Sequence, residues 1–584
     1  MSRSSSRATR SPAPARPASI GAAAFFVVVT VAMTWPLARD IRTAVPDHDD
    51  AYFGIWRMAW VAHQVTRAPL RLFDANIFVP TPNTFALSDA ALLQGLIAAP
   101  ALWLGARPLV VYNVLLLASL ALSAWCAYVL ALRLTGRVAP SLVAGVVFGF
   151  APYRLAQFGH LEMQSAMWMP LALLALHALV GSGATRATAW RADRPPDAQA
   201  PSVPTRRAGA ALGVVLALQA LSGLYYFMFL ALVLAAMVAV LMVAIRWPAQ
   251  WRLVRGLVAA ALVVAAVVVP YSRPYARARA LVGPRGAEEV AQFSGRASDY
   301  LEGGAFRWLP AAREGPPVSE EHVLSPGLVP AVLAVAGLWP PLDAWRAAMG
   351  VALVVAVDAS LGTNGILFPA ARRSVPALDG LRVPARFAVL VLLLVAVLGA
   401  IGLVRLTRRR GPGALQAASG VALLACAAEF FVAPMTLRYP VTAPTPLTRF
   451  LASRPAGTVV LHLPVPRTSD LWLHETTYQY LSTFHWQPLV NGYSGFPPPI
   501  YLRTLDVLRR FPDGESVARL RRLGVGYVVL HPEQMGEADY ARVASQLERS
   551  DDFAYVARFG PPPMTSVVFQ LTPEGAHDDP SPHD

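Results

Sequence analysis

Long apolar stretches recur along most of this chain, and they constrain it more than any other feature. The first, residues 20–37, is almost wholly apolar and close to the roughly 20 residues that a helix needs to cross a bilayer. Further runs occupy 109–132, 138–153, 163–180, 208–222, 225–245, 254–271, 326–341, 346–361, 386–404 and 414–433, about eleven in all. Of the 584 residues, 55% are hydrophobic and only 15% charged. A chain patterned this way is an integral membrane protein rather than a soluble enzyme.

The cations are all arginine, with no lysine, as a GC-rich coding sequence alone would produce. Much of the net charge of +15 falls in short segments between apolar runs. There arginines mark the cytoplasmic side of a membrane. The N-terminal tail, Arg133 and Arg137, the 181–207 segment, Arg246 to Arg255, Arg346 and Arg405 to Arg410 share one side if about eleven spans start from a cytoplasmic N-terminus. The loop 273–325 is then outside despite its seven arginines, which suits anionic headgroups or a lipid diphosphate, because guanidinium pairs bidentately with phosphate. Trp35-Pro36 follows the first run in place of a small-residue cleavage site, so that run reads as an uncleaved span. No basic domain with interleaved aromatics appears, which argues against nucleic acid as a partner. Cys126 and Cys426 lie inside apolar runs and read as small core residues.

The expected organisation is a basic cytoplasmic tail (1–19), a transmembrane region (20–434) with outer loops 38–108 and 273–325, an extracytoplasmic α/β domain (435–572) and a disordered tail (573–584). In the first loop, Tyr52–Gln64 carries Trp56 and Trp60 four residues apart and reads as a helix lying at the membrane interface. Residues 90–106 read as a second interfacial or re-entrant helix. In the tail, strands are expected at 458–463, 525–530, 553–558 and 565–571, and helices near 501–510, 515–523 and 537–549.

Chemistry concentrates on the outer side. Asp47-His48-Asp49-Asp50 follows the first span. Carboxylates at a membrane boundary are costly unless they face water, a metal or a substrate. Asp47, Asp49 and Asp50 are therefore candidate catalytic acids, and Glu162 is a second acidic site. A divalent cation (Mg or Mn) held by Asp47, Asp49 and His160 is one expected cofactor. Arg154, His160, Arg382 and Arg386 are candidates for donor phosphate or substrate, with Tyr225 and Tyr226 lining the same cavity. Asp89 is a weaker third acid that helix capping explains. In the tail, His474-Glu475, His485-Trp486 and Asn491 to Phe496 form a polar and aromatic set suited to sugar contact, and Glu475 would join the site if the domain docks there.

The order of first span, acidic loop, interfacial helices, many spans and outer α/β domain resembles the C-type (GT-C) superfamily of membrane glycosyltransferases. The strings LFDANIFVPTPNTFALSD, FGFAPYRLAQFGHLE, LRVPARFAVL and STFHWQPLVNGYSGF resemble a bacterial multi-pass family related to it. The resemblance implies a polyprenyl-phosphate sugar donor and an inverting transfer on the outer face of the cytoplasmic membrane. The acceptor would be a glycan, lipid or protein. It places the first-loop acid at Asp49 or Asp50 and the second at Glu162. Two other readings stand beside it: a catalytically inactive scaffold of envelope assembly, and a lipid or solute transporter. The transporter ranks last, because the spans are nearly free of charge and show no internal repeat.

Overall fold

The computed structural model describes residues 16–181, 204–301 save 246, 319–374, 378, 380–467, 472–561 and 564–573. Arg3 to Arg10, Arg186 to Arg194, Arg307, Arg313 and the tail from 574 lie outside the described residues.

A helix forms at each apolar run. In order they are α1 (Arg16–Met33), α4 (Pro108–Thr135), α5 (Val138–Phe150), α6 (Trp168–Val180), α7 (Thr205–Ser222), α8 (Leu224–Ala244), α9 (Trp247–Val282), α10 (Leu328–Leu338), α11 (Ala344–Ser360), α12 (Ala388–Thr407) and α13 (Gly411–Phe430). The first loop adds α2 (Asp49–Arg67) and α3 (Leu92–Trp103). Seven helical segments among the described residues are long and apolar enough to span a bilayer: 108–135, 138–156, 161–180, 224–244, 249–282, 384–407 and 411–430. The other apolar runs are helical but shorter or less apolar.

Apolar content all round a helix dictates full burial, and α12 is the case in point. Every residue from Ala388 to Leu403 is buried, with α4, α5, α10 and α11 packed around it. Outer helices instead expose Val258, Leu262, Val354, Val421 and Leu424, as lipid contact requires. α9 runs well past its expected end, so Arg273, Arg277 and Arg279 sit on a helix and not in a loop. Arg346 is buried and closes the end of α10, donating to the carbonyls of Gly337 at 2.7 Å, Trp339 at 2.5 Å and Pro341 at 2.7 Å.

The C-terminal domain has one four-stranded sheet of β1 (Val459–Leu463), β2 (Val525–Leu530), β3 (Phe553–Phe559) and β4 (Ser566–Leu571), ordered β1-β2-β4-β3. β1 runs parallel to β2, and the other pairs are antiparallel. Short runs rich in Val, Leu and aromatic residues are why each could be placed from sequence. Its helices include α14 (Trp472–Leu481), α15 (Pro499–Leu508), α16 (Gly514–Arg522) and α17 (Glu537–Glu548).

The first loop and this domain are tied together at two places. Val45-Pro46 pairs antiparallel with Leu437-Arg438. The Asn76–Val79 segment exchanges backbone hydrogen bonds with Leu489 and Asn491, and the Asn76 amide donates to Ser482 Oγ at 3.1 Å. This docking also covers α2: Ala51 to Ala62 are buried, and the helix packs against α3, α4 and, in the C-terminal domain, α14. Trp56 stacks on Trp60 at 6.3 Å, and Trp60 meets Trp486 at 5.9 Å. The aromatic face expected to meet headgroups is covered by protein. α3 keeps an exposed apolar edge at Leu96, Ile97 and Trp103.

Candidate functional site

The Asp-His-Asp-Asp string is a helix start. His48 is the N-cap of α2, with extended backbone, and its Nδ1 accepts the Asp50 amide at 3.1 Å. Asp49 and Asp50 then occupy the first turn, where the helix dipole favours carboxylates. Successive helical residues point about 100° apart, and that separates their fates. Asp49 forms an ion pair with Arg438, which also holds Asp47 at 2.9 Å. Asp50 turns inward and is 18% exposed, against 43% for Asp47.

Asp50 Oδ2 lies 3.6 Å from His48 Nδ1 and 3.6 Å from His160 Nδ1. The two rings meet edge to face at 4.8 Å. Gly159 makes this approach possible, since a Cβ there would stand 2.5 Å from the His48 ring. His48 Nε2 also lies 2.8 Å from Glu320. Burial pushes the Asp50 carboxyl up, but His160, His48, Arg57 and Arg386 outweigh it and hold the group below its usual range. Burial pushes His160 down. For His48 burial acts downward too, yet Glu320 and Asp50 carry it up to about 9. Asp50 is thus an ionised carboxylate with two imidazoles at its side.

The second acid is differently committed. Glu162 pairs with the buried Arg57 at 2.7 Å, and Arg57 also donates to the Asp89 carbonyl at 2.6 Å. Asp89 Oδ1 accepts the Leu224 amide at 2.9 Å and so caps α8. Burial raises Asp89 to about 6.

The phosphate candidates divide as well. Arg154 is fully buried and donates to the Met163 and Gln164 carbonyls at 2.6 and 3.0 Å, so it holds the loop that bears His160 and Glu162. Arg386 grips Glu321 with two nitrogens. Arg382 packs over Phe293, stands 3.9 Å from Glu289, and keeps 32% of its side chain exposed. Tyr225 donates to the Gly380 carbonyl at 2.9 Å and accepts the Arg382 amide at 3.1 Å. Tyr226 and Tyr153 share a buried hydroxyl contact at 3.2 Å.

The grouping of Asp47, Asp49 and His160 around a metal is not the one the structure makes, because Arg438 takes both carboxylates. Among the described residues, the trio with ligand atoms within 4.8 Å of one another is His48, Asp50 and His160. Glu475 is fully buried and bonded to Asn491 and Gly492, and Trp486 stacks on His63 at 4.2 Å, covering α2. Glu320, Glu321 and Arg438 were missed, and Tyr493 was named only as part of the Asn491 to Phe496 set. Each reaches the site only through long-range packing; the adjacent pair Glu320-Glu321 was the one available hint.

No protein-family model and no curated protein sequence matches the chain. Among solved structures, the mycobacterial arabinofuranosyltransferase AftD superposes with a TM-score of 0.63 at 16% identity, over 96% of this chain and 42% of that one. This chain thus spans less than half the length of that protein. ArnT from Cupriavidus metallidurans gives a TM-score of 0.49 at 13% identity, over 95% of this chain and 98% of that one. The bundle and its docked C-terminal domain share the fold of the part of AftD on which they superpose.

Proposed function

We propose that this protein is a glycosyltransferase that moves a sugar from a polyprenyl-phosphate donor to an envelope glycan, lipid or protein. The reaction would run on the outer face of the bacterial cytoplasmic membrane, where the C-terminal domain would lie. The observation that carries this reading is Asp50: an ionised, largely buried carboxylate at a helix start beside a membrane-embedded bundle, flanked by two imidazoles.

In an inverting transfer the acceptor hydroxyl oxygen attacks the anomeric carbon and its proton passes to Asp50. The bond from that carbon to the phosphate oxygen breaks, and the electron pair leaves on the polyprenyl phosphate. General-base catalysis of this kind contributes roughly 10²- to 10⁴-fold. Arg382 is the cation best placed to meet the phosphate, since Arg386 is already held by Glu321.

His48, Asp50 and His160 also fit a divalent cation by donor chemistry, with two imidazoles and one carboxylate close together. Their nitrogen-rich set favours manganese over magnesium. Such an ion would act as a Lewis acid toward a phosphoryl oxygen.

The test is transfer of labelled sugar from polyprenyl-phosphate donors in membranes. Asp50→Asn is expected to lose about 100-fold or more, while Asp49→Asn keeps most of the activity. Wild-type turnover in Asp50→Asn would overturn the assignment, and no turnover in any sample across several donors would favour the scaffold. Inactivation by a chelator, reversed by manganese, would assign the trio to metal binding.

A further inference from the structure

Besides Arg438, the C-terminal domain brings the loop Asn491 to Phe496 to the site, and buried side chains of α14 fix that loop. Glu475, Gln479 and Asn491 are all fully buried. Glu475 accepts the Asn491 amide at 3.0 Å and the Gly492 backbone N–H at 2.5 Å. Gln479 Oε1 accepts the Tyr493 N–H at 3.1 Å. Asn491 also bonds both backbone groups of His462, accepting its N–H at 2.6 Å and donating to its carbonyl at 3.0 Å, which ties the loop to β1. On the other side, a Cβ on Gly492 would stand 3.0 Å from Ile77 and Phe78 of the first loop. Three consecutive residues are therefore held by side-chain bonds and close packing.

The residue so delivered is Tyr493. Its ring sits edge-on to Phe53 at 5.3 Å. Phe53 lies three residues after Asp50 on α2, and residues at that spacing share a helix face. The phenol lies within side-chain hydrogen-bonding reach of the Asp50 carboxylate. The neighbouring groups are committed elsewhere: Asp49 pairs with Arg438 and His48 with Glu320.

We propose that Tyr493 is a positioning residue for Asp50, its hydroxyl donating to one carboxylate oxygen and leaving the other for the acceptor, and that Glu475 and Gln479 hold it there. This rests on the assignment of Asp50 above. A hydrogen bond to a charged group contributes about 1.5–3 kcal/mol, or roughly 10- to 100-fold in rate when it serves the transition state.

The test uses the full-length protein in membranes, with a donor that wild type turns over and Asp50→Asn does not. Tyr493→Phe should lower kcat about 10-fold or more, with the donor KM and the melting midpoint near wild type. Glu475→Ala should lower kcat comparably, Glu475→Gln should restore part of it, and the double variant Glu475→Ala/Tyr493→Phe should be no worse than Tyr493→Phe alone. A merely structural role predicts instead a lowered melting midpoint and additive losses. Wild-type kcat in Tyr493→Phe, or a change confined to KM, would overturn the proposal while leaving Asp50 in place. Turnover in Asp50→Asn would remove both.

Discussion

Asp49 and Asp50 are indistinguishable as letters, yet one is held by an arginine of the C-terminal segment and the other faces two imidazoles. The helix start between them made the distinction, and its cap, His48, stood in the same string. A second buried acid, Glu475, gives a residue-scale prediction. Burial raises it to about 8 despite its bonds to Asn491, Gly492 and Tyr501, against 4.5 for an ordinary glutamate. Between these values the folded state holds a proton that the unfolded state has lost, so stability falls as pH rises through that window. Burial also lowers His531 and His485 to about 4, and they act oppositely below pH 6.5, their ordinary value. From pH 6.5 to 8 the Glu475 effect adds to that of His48, raised to about 9, and both lower stability as pH rises. There the melting midpoint of the full chain in detergent should drop, with Glu475 contributing at most about 1.4 kcal/mol of stability per pH unit. Glu475→Gln should remove its part of that drop; an unchanged slope would show that Glu475 does not hold the proton.

Elements followed from local pattern more faithfully than their surroundings did. Each apolar run is a helix, and each expected strand of the C-terminal sheet is present. Periodicity also found α2, but not its burial, because the covering surface comes from residues 472–496, distant in sequence. Close helix packing is another feature that composition alone does not locate. α10 and α12 approach backbone to backbone at Gly337 and Gly402, where a Cβ would collide with the carbonyls of Leu398 and Leu333. Small residues permit such approach between membrane helices. Gly402→Ala should cost about 1–3 kcal/mol and lower the melting midpoint, whereas Gly399→Ala, whose Cβ would find its nearest neighbour at 3.5 Å, should be nearly neutral. Equal effects of the two would show that the helices have room to separate.

At the scale of the whole molecule, the functional proposal requires the C-terminal domain to lie outside the cell and the Arg408 to Arg410 turn inside. Both native cysteines are buried, so single cysteines on the surface can report sidedness. Tyr555→Cys should react with an impermeant thiol reagent in intact cells, and Arg409→Cys only after permeabilisation. The opposite pattern would place the domain in the cytoplasm and end the case for a donor presented on the outer face. What the sequence by itself determined is the set of apolar helices, the strands and the membrane class, because hydrophobic content and periodicity are properties of short windows. Which acid faces inward, which arginines are already paired and which tyrosine reaches Asp50 were decided by tertiary structure. Those outcomes depend on segments far apart in the chain, and a charge in a low-dielectric site is settled by the partners that packing brings to it.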